Sequence, residues 1–588
     1  MNHEDTIDID LGPEYREANQ DKYFGLVVKQ DGRYKPLCNF HARVIETITT
    51  TDGETEQSEL VIAVTFRNTP PRQCQVTAAE FTAMSWPSKH WGAEAVIYPG
   101  NGTKDHIRTA IQILSPDKKL TTVHAATGWN ADGKYIASDH AIDSDGRHHQ
   151  PTHLPALLKR YTLDQPSTNN LLFTIQLPAL SAKTNIGWML LLAIARAPIS
   201  PTDWVIHLHG GSGSYKTEIA SLIASHWGRG INARNGTESW ASTINSVEVI
   251  AHAASCAPLI LDDFAPTQTA AHAARLHQDA DRIIRAAGNQ AGRSRLSDQM
   301  QHTAGKHPRC LLISTGEDIP TGESCRARML NIDVTRGDVS SATLSYYQSA
   351  RDTFAATTAA YIQWLAQQNI ASVRRDLDNA AKHATTTAGH ARTANAHAQL
   401  AFAGNLFAAF ARHHGHELDT PAMHAAIASI AAEQIKLVET ESHVARFIHA
   451  IQTLLQSGKI HVADSTGNAP QNPTRLGWTT SNQNHVVTYH PNGDRIGWTD
   501  GITIWIMPDI GYNLATRQAR DNGEPIATTR QTLIKRMVEA GLITETDQIR
   551  QRNTVRKTLE ARVQTVLAMR YDAIVEPDED DDPPETPF

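Results

Sequence analysis

Trp204-Val205-Ile206-His207-Leu208-His209-Gly210-Gly211-Ser212-Gly213-Ser214-Tyr215-Lys216-Thr217-Glu218-Ile219-Ala220-Ser221-Leu222-Ile223 is the stretch that decides the fold class. An apolar run of strand character feeds a loop of Gly and Ser, and an apolar helical pattern follows. Small residues let backbone N–H groups turn onto phosphate oxygens, and a helix N-terminus adds its positive dipole. In such a cradle, Gly210 to Thr217, the Lys216 ammonium reaches the β and γ phosphates and the Thr217 hydroxyl holds Mg²⁺. Tyr215 stands where the G-x-x-x-x-G-K-[ST] pattern has its last glycine. Taken alone, the motif competes with an ordinary Gly/Ser turn carrying a surface lysine.

Downstream, Pro258-Leu259-Ile260-Leu261-Asp262-Asp263-Phe264 is an apolar strand ending in two carboxylates. In phosphoryl transfer, an acid at such a strand end holds Mg²⁺ and a second can polarise the attacking water. A phosphate loop followed by an acidic strand end is the order a P-loop ATPase requires. A third strand, Arg309 to Glu317, ends in Ser314, Thr315 and an acid, and either hydroxyl could sense the γ-phosphate. Arg326 and Arg328 follow, in the right order for an arginine finger directed at a neighbouring subunit; the alternative is a surface salt bridge. Between the second and third strands, Asp281 to Leu296 carries Arg282, Arg285, Arg293 and Arg295 with no acid after Asp281. It reads as a basic, Gly-containing loop that could follow a nucleic-acid backbone in a pore, or as a solvated loop.

Around this centre the chain of 588 residues has room for several domains. With 40% hydrophobic and 20% charged residues it is unlike a disordered chain. No apolar run is long enough to span a membrane, and the acidic start MNHEDTIDID lacks the apolar core of a secretory signal. The five scattered cysteines indicate neither a disulfide framework nor a zinc site, and a cytoplasmic location is expected. The formal charge of −8 excludes a globally basic nucleic-acid binder while leaving room for local basic surfaces. The 29 histidines show no recurring ligand spacing and read mostly as exposed.

Texture divides the chain into an acidic arm (1–23), a mixed, mainly β domain (24–155), an α/β P-loop domain (156–340), a helical region (341–460), a final domain (461–576) and an acidic, Pro-rich, disordered tail (577–588). The first domain is expected to have strands at Leu60–Phe66 and Ala93–Tyr98 and a helix at Asp105–Leu114. Long helices are expected at Thr343–Asn369 and Ala422–Gln456. The final domain should have strands near Trp478 and Trp498, and helices at Thr529–Ala540 and Thr554–Arg562. In its Thr529–Gly541 segment the apolar spacing is amphipathic, with Arg530, Lys535 and Arg536 on the polar side. A helix, a short strand and a basic turn suggest a winged helix that touches duplex DNA, against the alternative of a solvated basic surface.

The order GGSGSYKT, LILDDF, GNQAGRSRL, LLISTGED and SCRARML resembles the AAA+ ATPases of phage, plasmid and integrative-element replication proteins, actinobacterial ones in particular. These are related to superfamily 3 and MCM-like helicases. Trp91-Gly92, Tyr98-Pro99-Gly100 and Thr127-Gly128-Trp129-Asn130 resemble the domain of unknown function that precedes the ATPase in this group, including the helicases of mobile cassette chromosomes. The Ser239–Glu248 segment and the C-terminal region are also similar. The resemblance implies an AAA+ core, an oligomeric ring with six subunits expected, and ATP-driven movement on DNA in replication of a mobile element. By it, Lys216 and Thr217 bind phosphate and Mg²⁺, Asp262 and Asp263 are the Walker B acids, and Thr315 is a sensor candidate. Arg326 or Arg328 is the finger, and Arg293 and Arg295 contact single-stranded DNA. Tyr215 and the missing sensor asparagine depart from the pattern. No primase signature is visible upstream, so a primase, if the system needs one, is expected to be a separate chain. The alternatives are an ATP-switched origin-binding initiator or loader that does not unwind processively, and a packaging or defence ATPase.

Overall fold

The computed structural model describes residues 13–20, 22–265, 269–296, 302–384, 391–440, 442–483, 486–522 and 525–575. The chain is a mixed α/β protein that clusters into two units. One comprises Met1–Pro320, Arg328–Thr385 and Ala394–Ile430; the other comprises Thr321–Ala327, Thr386–Thr393 and Ala431–Phe588. The acidic tail expected at 577–588 lies outside the described residues.

The first unit opens with an antiparallel meander of β1 (Glu14–Gln20), β2 (Tyr23–Gln30) and β3 (Arg33–Pro36). The folded region therefore starts before residue 24, and part of the expected arm is a strand. A second sheet, in the order β6-β5-β4-β7, uses β4 (Phe40–Thr51), β5 (Glu56–Phe66), β6 (Arg72–Thr77) and β7 (Lys119–His124). Alternation makes β5 a strand: Ile62, Val64 and Phe66 are buried and the residues between them are not. Helices α1 (Ala78–Ala83), α2 (Trp86–Trp91) and α3 (Thr103–Ile113) share the core through Phe81, Trp86, Ile107 and Ile111. The expected strand at Ala93–Tyr98 is instead a 3-10 turn over Gly92–Glu94 and a single bridge from Ile97 to Cys38. Pro99, with no N–H to donate, stops a ladder from extending. A small sheet of β8 (Gly128–Trp129), β9 (Tyr135–Ile136), β10 (His140–Asp143) and β11 (Gly146–His149) follows.

After α4 (Leu171–Ile175), helix α5 (Thr184–Arg196) is buried from Asn185 to Arg196, as expected of a helix apolar on nearly every side. Strand and helix then alternate through β12 (Val205–His209), α6 (Lys216–Ser225), β13 (Glu238–Ser239), α7 (Ile244–Ala253), β14 (Pro258–Phe264) and α8 (Ala270–Asn289). An antiparallel hairpin of β15 (Gly292–Leu296) and β16 (His302–Gly305) precedes β17 (Leu311–Gly316). The short helix α9 (Glu323–Arg326) falls in the second unit, and β18 (Met329–Asp333) returns to the first. Strands β13-β14-β17-β12-β18 form one wholly parallel sheet in that order. Inserting β17 between β12 and β14 brings the C-terminal ends of these three strands together. In a parallel sheet, that is where ligands bind.

Helices α10 (Ser341–Ser349), α11 (Arg351–Gln367), α12 (Ile370–Lys382), α13 (Ala391–His413), α14 (Thr420–Thr440) and α15 (His443–Gln456) follow. The two long helices expected here are each divided. The first breaks at Ala350, and the second restarts where the Ser442 hydroxyl accepts from the Ala445 amide as an N-cap. Helix α15 belongs to the core of the second unit, where Phe447, Ile451 and Leu454 cluster with Trp498, Trp505 and Met537. That core extends upstream of the expected boundary at 461.

The rest of the second unit comprises β19 (Ile460–Asp464), the hairpin β20 (Trp478–Gln483) and β21 (Val486–Pro491), β22 (Asp494–Thr499) and β23 (Thr503–Ile506). Helices α16 (Pro508–Asp521) and α17 (Arg530–Glu539) follow, then β24 (Ile543–Glu545), β25 (Val555–Leu559) and β26 (Arg562–Arg570). Strands pair in the order β19-β22-β23-β26-β24, and β25 also pairs with β26. The helix expected at Thr554–Arg562 is therefore a strand and a turn. Its Lys, Leu, Glu, Ala and Arg favour a helix locally, but pairing with β26 buries Leu559 and Val566 and prevails.

All five cysteines are buried, and none forms a disulfide. Some histidines are interior: His124, His140, His207, His226, His252 and His461 are buried. No described helix is long and apolar enough to cross a membrane.

Candidate functional site

From His209 the chain turns through Gly210–Tyr215 into α6. Gly210 has φ 148°, and a methyl group there would overlap the carbonyl oxygen of Val334. Tyr215 precedes α6 with φ 63° and ψ 17°, in the left-handed region. The position where the motif usually has glycine thus keeps the backbone that favours glycine, with the tyrosine ring 42% exposed. Gly210→Ala is expected to cost about 2–4 kcal/mol through backbone overlap and strain. Tyr215→Gly is expected to stay within about 1 kcal/mol of the parent, because relieved strain offsets added unfolded-state entropy. Denaturant melts of both variants check the pair; equal stabilities would contradict the loop geometry.

Lys216 folds back over the loop. Its Nζ donates to the carbonyls of Gly210 at 2.7 Å and Gly211 at 2.9 Å, and lies 3.3 Å from Ser214 Oγ. Partial burial pushes this lysine below its ordinary range, against the opposing pull of Glu317, Asp262 and Asp263. Thr217, one residue on, donates from Oγ1 to Asp262 Oδ1 at 2.7 Å. Thr315 donates to the same Asp262 oxygen, and its Oγ1 accepts from the Asp263 amide at 3.3 Å. Asp262 is thus the hub joining the helix after the loop to β14 and β17. Asp263 has φ 70°, and the β14–β17 register shifts between Leu261 and Phe264. This bulge re-aims the strand end, so that both Asp262 and Asp263 line the cleft beside Lys216, Thr217 and Thr315.

Strand alternation separates the two sensor candidates. Ser314 is fully buried, 3.0 Å from His207 Nδ1 and accepting from Trp240 Nε1 at 3.0 Å, whereas Thr315 reaches the cleft. Glu317 also lines the cleft, without a role assigned from sequence. Arg336 was missed altogether: its Nε donates to the Ser212 carbonyl at 2.9 Å and its guanidinium lies against Gly213. The only sequence signal was a Thr335-Arg336-Gly337-Asp338 turn after a strand whose neighbour was not known.

Other sequence-derived candidates lie elsewhere. Arg328 immediately precedes β18, and its carbonyl accepts from Val205 N at 2.9 Å, at the end of the sheet opposite the Gly210–Tyr215 loop. Its guanidinium donates to Asn289 Oδ1 at 3.0 Å, and only 7% of the residue is exposed. Arg326 is 6% exposed. A finger needs an exposed guanidinium, and neither arginine offers one in this conformation. The expected basic loop is part helix and part hairpin. Arg282 pairs with Glu248 at 2.8 Å and Arg285 with Asp281 at 2.7 Å on α8, leaving Arg293 and Arg295 in β15. In the second unit, Arg530 pairs with Asp509, Lys535 lies 3.8 Å from Glu539, and Arg536 is half-buried on α17.

No protein-family model matches the chain, and no curated protein does. Among solved structures, the apo form of the "NrS-1 C terminal region" aligns over 55% of this chain and 66% of its own at 12% identity, with a TM-score of 0.26 that carries no argument. A structure described as "SCCmec type IV Cch - active helicase" aligns over 94% of this chain and 97% of its own, at 13% identity and a TM-score of 0.54. The chain thus shares its fold with that helicase structure.

Proposed function

We propose that the chain is a P-loop AAA+ ATPase that works as an ATP-dependent DNA helicase or translocase in replication of a mobile genetic element. It acts as a ring, of six subunits by its sequence resemblance, with ATP hydrolysed at subunit interfaces. The observation that carries this reading is the hub at Asp262, which receives both Thr217 and Thr315 beside Lys216 at the ends of three adjoining parallel strands. Thr217 Oγ1 and Asp262 Oδ1 are hard oxygen donors of the kind Mg²⁺ takes. Thr217 and Asp262 would hold Mg²⁺, which would supply positive charge against that of the phosphates. The loop amides and Lys216 hold the phosphates, Asp263 orients the attacking water, and Thr315 positions Asp262. Arg336 adds a positive charge from the same chain.

The β15–β16 hairpin, which carries Arg293 and Arg295 after α8, is the proposed contact with single-stranded DNA. In the second unit, α16, α17 and the strands β24 to β26 follow one another as in a winged helix, and we assign duplex contact to this part. Arg530 and Lys535, which already have carboxylate partners, share that assignment with Arg536 and with Arg556 and Arg562 of β25 and β26. Changing Arg293 and Arg295 together to Ala should weaken single-strand affinity and lower its salt slope by up to about 0.7 per lost phosphate contact. Binding titrations across salt concentrations read this directly, and an unchanged slope removes the hairpin from the DNA path.

ATP hydrolysis with and without single-stranded DNA, beside opening of a forked duplex, tests the whole reading. DNA-stimulated hydrolysis with opening is expected. Hydrolysis indifferent to DNA, with no opening, would point to an ATP-switched initiator instead.

A further inference from the structure

Away from the nucleotide cleft, three segments of the first unit meet in a cluster of ligand-type side chains. The turn between β4 and β5 supplies Asp52 and Glu54. The C-terminal turn of α7 supplies His252, whose side chain is 4% exposed. The segment joining the hairpin strand β16 to β17 supplies His307. Donor atoms of Glu54, His252 and His307 all lie within 4.8 Å of one another. Glu54 Oε1 is 3.9 Å from His307 Nε2, and Asp52 Oδ2 is 3.3 Å from His252 Nε2.

The hydrogen bonds around His252 fix which ring nitrogen faces the carboxylates. Its Nδ1 is 3.0 Å from the carbonyl oxygen of His307, which can only accept, so Nδ1 carries a proton. In the neutral ring, Nε2 is then a bare lone pair facing a carboxylate. Asp52 is held in place, because its Oδ1 accepts from the amides of Glu54 at 3.0 Å and Thr55 at 2.8 Å. A proton on Nε2 would answer the Asp52 contact alone and leave the His307–Glu54 pair as it is. A single cation answers both.

We propose that Glu54, His252 and His307 bind one divalent cation of the zinc class, with Asp52 beside them as the fourth donor. Two imidazoles with carboxylates are a donor set that zinc takes in tetrahedral geometry. Bonds of about 2.0–2.2 Å place neighbouring tetrahedral donors about 3.3–3.5 Å apart. The separations of 3.3 and 3.9 Å are near that value, and Glu54, 43% exposed, is free to close the remainder. Arg309 is the opposing charge: its Nε donates to the His252 carbonyl at 2.9 Å and its guanidinium lies 3.5 Å from Glu54. The carboxylates of Asp52 and Glu54 offset it. The bound cation would tie the β4–β5 turn to the base of the β15–β16 hairpin, fixing one end of that hairpin. Because the ligands sit at 54, 252 and 307, no spacing motif reveals them.

The test uses the full-length chain without a histidine tag, dialysed free of metal and titrated with Zn²⁺. It is run beside Glu54→Gln and the double variant Glu54→Gln/His307→Ala; His252 is left intact because it is buried. Bound zinc is counted by elemental analysis, and thermal melting is followed in parallel. The parent should hold one more zinc per chain than the double variant and melt higher with zinc, and Glu54→Gln should weaken binding by about tenfold. Co²⁺ should give the visible absorption of a four-coordinate site in the parent alone. Equal zinc content and equal melting in parent and double variant would overturn the proposal. This outcome is independent of the nucleotide cleft, whose reading neither requires nor predicts the site.

Discussion

Lys216→Ala should abolish ATP turnover, lowering it by about 10²–10³-fold or more. The ammonium rests on the carbonyls of Gly210 and Gly211, inside the curve of the loop where phosphates would lie. Truncating one partner of a desolvated, hydrogen-bonded charge pair costs about 2–5 kcal/mol, and each 1.4 kcal/mol is tenfold. Stability should not fall with it. Burial lowers the lysine's pKa in the folded chain, so the unfolded chain binds more protons between the folded and unfolded values. The group therefore works against folding at pH 7, and the alanine chain should melt at the same temperature or slightly higher. The same shift has a consequence for activity. The charged form is the one that holds phosphate, so kcat/KM, which reports the empty cleft, should begin to fall at an alkaline pH below the ordinary lysine value of about 10.4. A pH profile of hydrolysis beside a thermal melt separates a lost site from a lost fold. Turnover in the alanine chain within twofold of the parent would sink the site assignment.

Much of this cleft was legible in the sequence because its parts obey local rules. A buried parallel strand is a short apolar run, and the residue that follows it is where chemistry sits. The ends of two such runs offered Asp262 and the pair Ser314 and Thr315, and the Gly/Ser loop between a third run and its helix pointed to Lys216 and Thr217. What it could not give was their adjacency, which comes from β17 entering the sheet between β12 and β14. It also could not choose Thr315 over Ser314, because the choice depends on which face of β17 meets the cleft. Arg336 escaped because its partner, the Ser212 carbonyl, is brought close only by the pairing of β18 with β12. The misread elements failed for the same kind of reason. Helix-favouring residues at Thr554–Arg562 gave way to a cross-strand partner, and Ser442 divided a continuous helical pattern. Arg326 and Arg328 were placed in the right order along the chain, but order says nothing of burial.

Asp262→Asn is the sharpest test of how the two strand-end acids divide the work. Asparagine keeps a carbonyl oxygen where Thr217 and Thr315 donate, so the hub and the fold should persist and melting should hardly change. What goes is the negative charge. ATP binding without Mg²⁺ should survive, but the gain in affinity on adding Mg²⁺ should vanish. Hydrolysis should fall by about 10²–10³-fold, the several kcal/mol expected when a metal's charge stabilisation is lost. Asp263→Asn should behave differently. Asp263 sits at φ 70°, a conformation asparagine adopts at least as readily, so stability should hold or rise slightly. Its loss should slow hydrolysis while leaving Mg²⁺-dependent binding intact, because its proposed task is to orient water. Nucleotide binding measured with and without Mg²⁺ in both variants distinguishes the roles. If Asp263→Asn loses the Mg²⁺ dependence and Asp262→Asn keeps it, the assignments are exchanged, and the bulge between Leu261 and Phe264 serves to present the metal ligand rather than the base.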